Sequence, residues 1–132
     1  MGTLLGFDYG TKKIGIAVGQ TFTATATALT TLKAKQQRPD WDKISELINT
    51  WQPEALVVGM PYDLDDSEAE VASRAQRFAR QLEGRFQLPV HMADERLTSM
   101  VALQELKGGR IGYGDIDAIA AKLILETWLS EQ

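Results

Sequence analysis

Leu4-Leu5-Gly6-Phe7-Asp8-Tyr9-Gly10-Thr11-Lys12-Lys13-Ile14-Gly15-Ile16-Ala17-Val18-Gly19 is two apolar runs joined by a polar, glycine-bearing turn. That pattern predicts a β-hairpin, with strands over 3–8 and 14–19 and Asp8 at the end of the first strand, opening the turn. A carboxylate between two buried strands is costly unless a partner meets it. Working outward, the Thr/Ala alternation of 23–32 predicts a third strand. Pro39-Asp40 starts a helix in which Ile44, Leu47, Ile48 and Trp51 share one buried stripe, and Pro53 ends it. Ala55-Leu56-Val57-Val58-Gly59 is short, continuous and apolar, as a parallel strand covered on both faces should be.

Ser67 and Glu70 form a Ser-x-x-Glu capping box, so a helix begins there and carries Val71, Ala75, Phe78, Ala79 and Leu82 inward. Residues 88–92 read as a fifth strand, with His91 a structural residue inside it. Thr98 or Ser99 caps a further helix that ends at Lys107-Gly108-Gly109, and Asp115 caps a last one running through Trp128 and Leu129. The order β-β-β-α-β-α-β-α-α predicts an α/β fold. Its mixed five-stranded sheet has three antiparallel strands followed by parallel ones, with helices on both faces.

Two more acids stand at similar places to Asp8. Glu95 follows the run Val90-His91-Met92-Ala93, and Asp117 lies in the first turn of an apolar helix, on the stripe of Ala121 and Ile124. Three separated acids that converge suit a hard divalent cation, and a pair of such cations can hold the attacking and leaving oxygens of a phosphodiester. Bland readings stand beside this: Asp8 as a turn initiator, Glu95 as a surface acid paired with Arg96, and Asp117 stabilised by the helix dipole.

Composition trims the alternatives. With 132 residues, 44% of them hydrophobic, the chain suits a single domain over residues 1–132 with one core. The absence of cysteine removes disulfides and thiolate chemistry, and one histidine rules out a multi-histidine metal site. No run resembles a secretory signal or a membrane span, so cytoplasmic residence is the expectation. The net charge of −4 disfavours indiscriminate adhesion to nucleic acid. Local clusters differ, and Lys12-Lys13, the group Lys33, Lys35 and Arg38, the series Arg74, Arg77 and Arg80, and Arg96, Lys107 and Arg110 would form a basic rim if they shared a location.

The order of elements, with an acid on the first strand, resembles the ribonuclease H-like fold. The segments Phe7–Gly15, Val58-Gly59-Met60-Pro61, Asp94-Glu95-Arg96-Leu97-Thr98-Ser99 and Asp117-Ala118-Ile119-Ala120-Ala121 resemble the ordered motifs of the YqgF or RuvX family, over nearly the whole chain. Members of that family are Holliday-junction-resolvase-like proteins described as nucleases acting at the 5′ end of pre-16S ribosomal RNA. The resemblance implies Asp8, Glu95 and Asp117 as catalytic acids and metal ligands, magnesium or manganese as cofactor, and hydrolysis of a phosphodiester. It also implies nucleic-acid partners, structured RNA or branched DNA, and a ribosome precursor.

Tyr9, Lys12, Lys13, Arg96 and Arg110 are the candidates for contacts with nucleic acid, and Tyr113 for stacking in the Gly108–Gly114 loop. Asp65-Asp66 stands where the family pattern has Asp-Gly, and no fourth acid is evident: Asp94 alternates with Glu95, and Asp115 lies off the helical face of Asp117. Two rivals remain open. Asp8-Tyr9-Gly10-Thr11 also resembles the phosphate-binding hairpin of actin-like ATPases, and a non-catalytic RNA-binding module would keep the same fold.

Overall fold

A computed structural model describes residues 2–10, 12–36, 38–60, 66–94 and 116–132. Strands β1 (Thr3–Tyr9), β2 (Lys13–Gln20) and β3 (Thr25–Lys33) are followed by helix α1 (Trp41–Trp51), β4 (Ala55–Met60), α2 (Asp66–Phe86), β5 (Val90–Asp94) and α3 (Ile116–Ser130). They form a five-stranded sheet in the order β3-β2-β1-β4-β5. The pairs β1–β2 and β2–β3 are antiparallel, whereas β1–β4 and β4–β5 are parallel. This is the mixed sheet the element order predicts. The helix expected between Thr98 and Lys107, the Gly108–Gly114 loop and the Asp115 cap lie outside the described residues.

Strand alternation sorts the core into two layers. Leu5, Phe7, Ile14, Ile16, Leu56 and Val58 face Ile44 of α1 and Phe78, Ala79 and Leu82 of α2. Leu4, Ala17, Ala55, Val57 and Ala93 face Ala121, Ile124, Leu125 and Leu129 of α3. Helix α3 approaches closely because glycines lie beneath it. A Cβ on Gly6 would sit 3.0 Å from Leu125 Cβ, and one on Gly19 would sit 2.8 Å from Leu125 Cδ2.

Helix α1 starts where Asp40 accepts a bond from the Lys43 N–H at 3.2 Å, and it stops where Gln52 adopts a left-handed conformation (φ 48°) just before Pro53. Trp51, the last residue of the helix, breaks the expected stripe, being 37% exposed, whereas Ile48 of the same turn packs against the core. Helix α2 begins at Asp66, a residue before the serine expected to cap it. Strand β5 sits two residues later than the apolar run suggests. Its register, Leu56 opposite Val90 through Met60 opposite Asp94, brings an aspartate into the ladder although aspartate is a poor strand former. Among the described residues no helix is long and apolar enough to cross a membrane.

Candidate active site

Parallel pairing puts the carboxyl ends of β1, β4 and β5 at one edge of the sheet. Phe7 pairs with Val58 and Val58 with Met92, so the three strands run level and finish at Tyr9, Met60 and Asp94. In sheets of this kind the carboxyl ends of the strands are where ligands bind. The start of β2 reaches the same edge, because Tyr9 pairs with Ile14.

Asp8 lies inside the ladder, opposite Gly15, and not in the turn that the sequence suggests it opens. The hydrogen-bonded strand continues through Tyr9, so turn initiation does not account for the carboxylate. Alternation points half-buried Asp8 to the α3 face, with Leu4 and Gly6. There the first turn of α3 rests on Gly15: a Cβ at that position would lie 1.8 Å from the Asp117 carbonyl oxygen and 2.7 Å from Ala118 N. Only a residue without a side chain lets the backbones approach so closely.

One glycine therefore joins two of the three predicted acids. Asp8 sits across the ladder from Gly15, and Asp117 sits directly above it. Asp117 is half-buried, while Ala121 and Ile124 on its stripe are fully buried, as the helical spacing predicts. Glu95, Arg96 and Arg110 lie outside the described residues; Glu95 follows Asp94, the last residue of β5, directly in the chain. Among the described residues no cluster of three or more acids or histidines forms a metal-binding group.

Gly15 also pairs with Thr31, so Asp8, Gly15 and Thr31 form a row across β1, β2 and β3. The Thr31 hydroxyl is buried and lacks a hydrogen-bond partner among the described residues. The Thr/Ala alternation of β3 holds no sign of this, because the register that aligns Thr31 with Gly15 follows a bulge between Ile16 and Ala17.

The basic residues divide by face. Lys12 and Lys13 are exposed beside the edge, and Lys13 stands across the ladder from Lys33, so two groups apart in sequence meet. Like charges directly opposite each other cost stability unless an anion offsets them. Tyr9 points away from Asp8, to the α1 and α2 face, where its ring lies 5.0 Å from that of Phe78. On that side Tyr9, Gln36, Arg38, Pro39, Trp41, Arg74, Arg77, Gln81 and Arg85 line a cavity of about 600 Å³.

Arg80, grouped with Arg74 and Arg77 on sequence grounds, is absent from this lining, whereas Gln81 and Arg85 belong to it. The helical period explains both facts. Positions 74, 77, 81 and 85 follow a single stripe of α2, a signal present in the sequence that charge clustering alone passes over. His91 is exposed rather than enclosed and stacks on Trp128 of α3 with centroids 4.8 Å apart.

The RuvX family model, described as Holliday junction resolvase, matches residues 2–131. A protein of Azotobacter vinelandii named "Putative pre-16S rRNA nuclease" is 49% identical, covering 98% of this chain and 94% of its own. A protein of Pseudomonas putida with the same name is 53% identical, covering 96% of this chain and 93% of its own. Among solved structures, Thermus thermophilus RuvC in complex with a Holliday junction substrate superposes with a TM-score of 0.57 at 18% identity, over 92% of this chain and 90% of that one. The fowlpox virus Holliday junction resolvase superposes with a TM-score of 0.58 at 10% identity, over 98% and 99%. These two likenesses establish a shared fold. With its family motifs matched from end to end and relatives near half identity, the chain belongs to the RuvX family.

Proposed function

We propose that this chain is a divalent-metal-dependent endonuclease of the cytoplasm that processes the 5′ end of pre-16S ribosomal RNA during ribosome biogenesis. The observation that carries the reading is the meeting of Asp8 and Asp117 across Gly15 at the carboxyl ends of the parallel strands. The names of the relatives at 49% and 53% identity support the substrate.

The donor set suits a hard cation: two half-buried carboxylates on rigid elements offer oxygen ligands, without a competing thiolate in the chain. Asp8 and Asp117, with Glu95 as third ligand, would hold magnesium or manganese. When bound, such an ion supplies an activated water and stabilises charge on the leaving oxygen.

The chain's own part is geometric. Asp8 is held in the ladder opposite Gly15 of β2, one residue beyond the β1–β4 pairing that ends at Phe7 opposite Val58. Asp117 is fixed by the packing of α3 on Gly6, Gly15 and Gly19. Anchored backbones at both acids would lower the reorganisation the reaction requires. Lys12, Lys13 and Lys33 beside the edge neutralise substrate phosphates as they approach.

The test is cleavage of a 5′-extended pre-16S RNA fragment with magnesium, manganese or chelator, comparing the wild type with Asp8→Asn. Turnover should fall at least 100-fold in the variant and vanish with chelator, while the circular dichroism spectrum stays unchanged. A folded variant that cleaves at the wild-type rate sinks the assignment. The family's description favours a second reading, a resolvase for branched DNA, so a four-way junction belongs in the same assay. Faster metal-dependent cleavage of the junction than of the RNA would select that reading.

A further inference from the structure

We propose that the arginine-lined cavity on the α1 and α2 face is a docking groove for the phosphodiester backbone of single-stranded RNA next to the scissile bond, held by Arg38, Arg77 and Arg85. The inference rests on the nuclease reading for its substrate class and adds a binding site on the opposite face of the sheet from Asp8.

Charge comes first. Among the described residues four arginines line the cavity and no acid does, in a chain whose net charge is −4. The whole molecule therefore repels a polyanion, and attraction has to come from a local concentration of positive charge. Asp40 and Asp42 line an adjoining cavity that shares Gln36, Arg38, Pro39 and Trp41, so the positive charge is concentrated on the α2 side of the groove, at Arg77 and Arg85.

Chemistry comes second. Arginine presents a planar fork that matches phosphate oxygens two at a time, and it does so most cheaply when the fork is already oriented. Here Arg85 is oriented: its guanidinium lies 4.2 Å from the centroid of Trp41, and Trp41 stacks on Phe78 at 5.6 Å. Trp41, backed by Phe78, thus acts as an aromatic floor beneath Arg85. The volume of about 600 Å³ is within the range of ligand clefts and exceeds what one phosphate needs.

Location comes third. Tyr9 lines the groove, and Tyr9 is the residue after Asp8. Consecutive strand residues are about 3.8 Å apart at Cα and point to opposite faces. A strand whose phosphate lies at Asp8 therefore needs only to round the end of β1 to enter the groove.

The experiment measures binding of fluorescently labelled single-stranded RNAs of several lengths in chelator, where no cleavage occurs, over a range of salt. The Arg38→Ala/Arg77→Ala double variant should bind at least 10-fold more weakly. The slope of log affinity against log salt should shrink by about 0.7 for each phosphate that the variant no longer neutralises. Arg77→Glu alone should weaken binding further than Arg77→Ala, and Arg77→Lys should restore part of it. Arg80→Ala, on the same helix but outside the lining, should bind within about twofold of wild type, and Asp8→Asn is read by cleavage alone, so that failure of the groove and failure of the nuclease assignment appear in different assays.

Wild-type affinity and salt slope in a double variant with an unchanged melting temperature would overturn the proposal. So would affinity independent of RNA length, with ATP or inorganic phosphate displacing the RNA at equal concentration, since that marks a small-anion site.

Discussion

Gly15 is the residue on which the candidate site turns. It stands opposite Asp8 in the ladder and beneath the Asp117 carbonyl, where a Cβ would lie 1.8 Å from that oxygen. The obstacle is backbone on a packed helix, so relief requires α3 to lift and not merely a side chain to swing. Gly15→Ala is expected to destabilise the fold by about 1–3 kcal/mol, the usual cost of overpacking. Turnover should fall by more than the reduced amount of folded protein explains, because Asp117 is displaced from Asp8. Denaturant unfolding and a cleavage assay on the same preparation measure both effects. The acids themselves are visible in sequence as carboxylates in apolar surroundings; their nearness is not, because about a hundred residues separate Asp8 from Asp117.

At the scale of elements, α2 performs two tasks on two of its stripes. Ala75, Phe78, Ala79 and Leu82 are buried against the sheet, while Arg74, Arg77, Gln81 and Arg85 line the basic cavity. Phe78 links them: its ring meets Phe7 at 5.6 Å, Tyr9 at 5.0 Å and Trp41 at 5.6 Å. Phe78→Ala should cost about 3–5 kcal/mol by leaving a cavity among these rings. It should also weaken RNA binding measured well below the melting temperature, because Tyr9 and Trp41 lose their support; binding at wild-type strength would show that the groove does not depend on this floor. Helix α3 obeys a different rule. It is apolar on most sides, so its seat is selected by the glycines of β1 and β2 that admit it, Gly6, Gly15 and Gly19.

At the scale of the whole molecule, the sheet order β3-β2-β1-β4-β5 places three parallel strand ends and the start of α3 at one edge. On the proposed function, a cation held by Asp8 and Asp117 binds the folded chain and not the unfolded one. Manganese or magnesium at one hundred times its dissociation constant should raise the unfolding free energy by about 2.7 kcal/mol, seen as a higher melting temperature. The rise should disappear in Asp8→Asn/Asp117→Asn; its persistence would put the cation elsewhere. The sequence by itself determined the mixed sheet, the two helical faces, the family and the acid positions, because hydrophobic period and turn chemistry act over a few residues. Tertiary structure alone decided which distant groups meet. Register set Asp8 opposite Gly15, Lys13 opposite Lys33 and the end of β5 at Asp94, and packing laid the first turn of α3 on Gly15. Each of those outcomes depends on contacts between segments far apart in the chain, whose energies no local pattern contains.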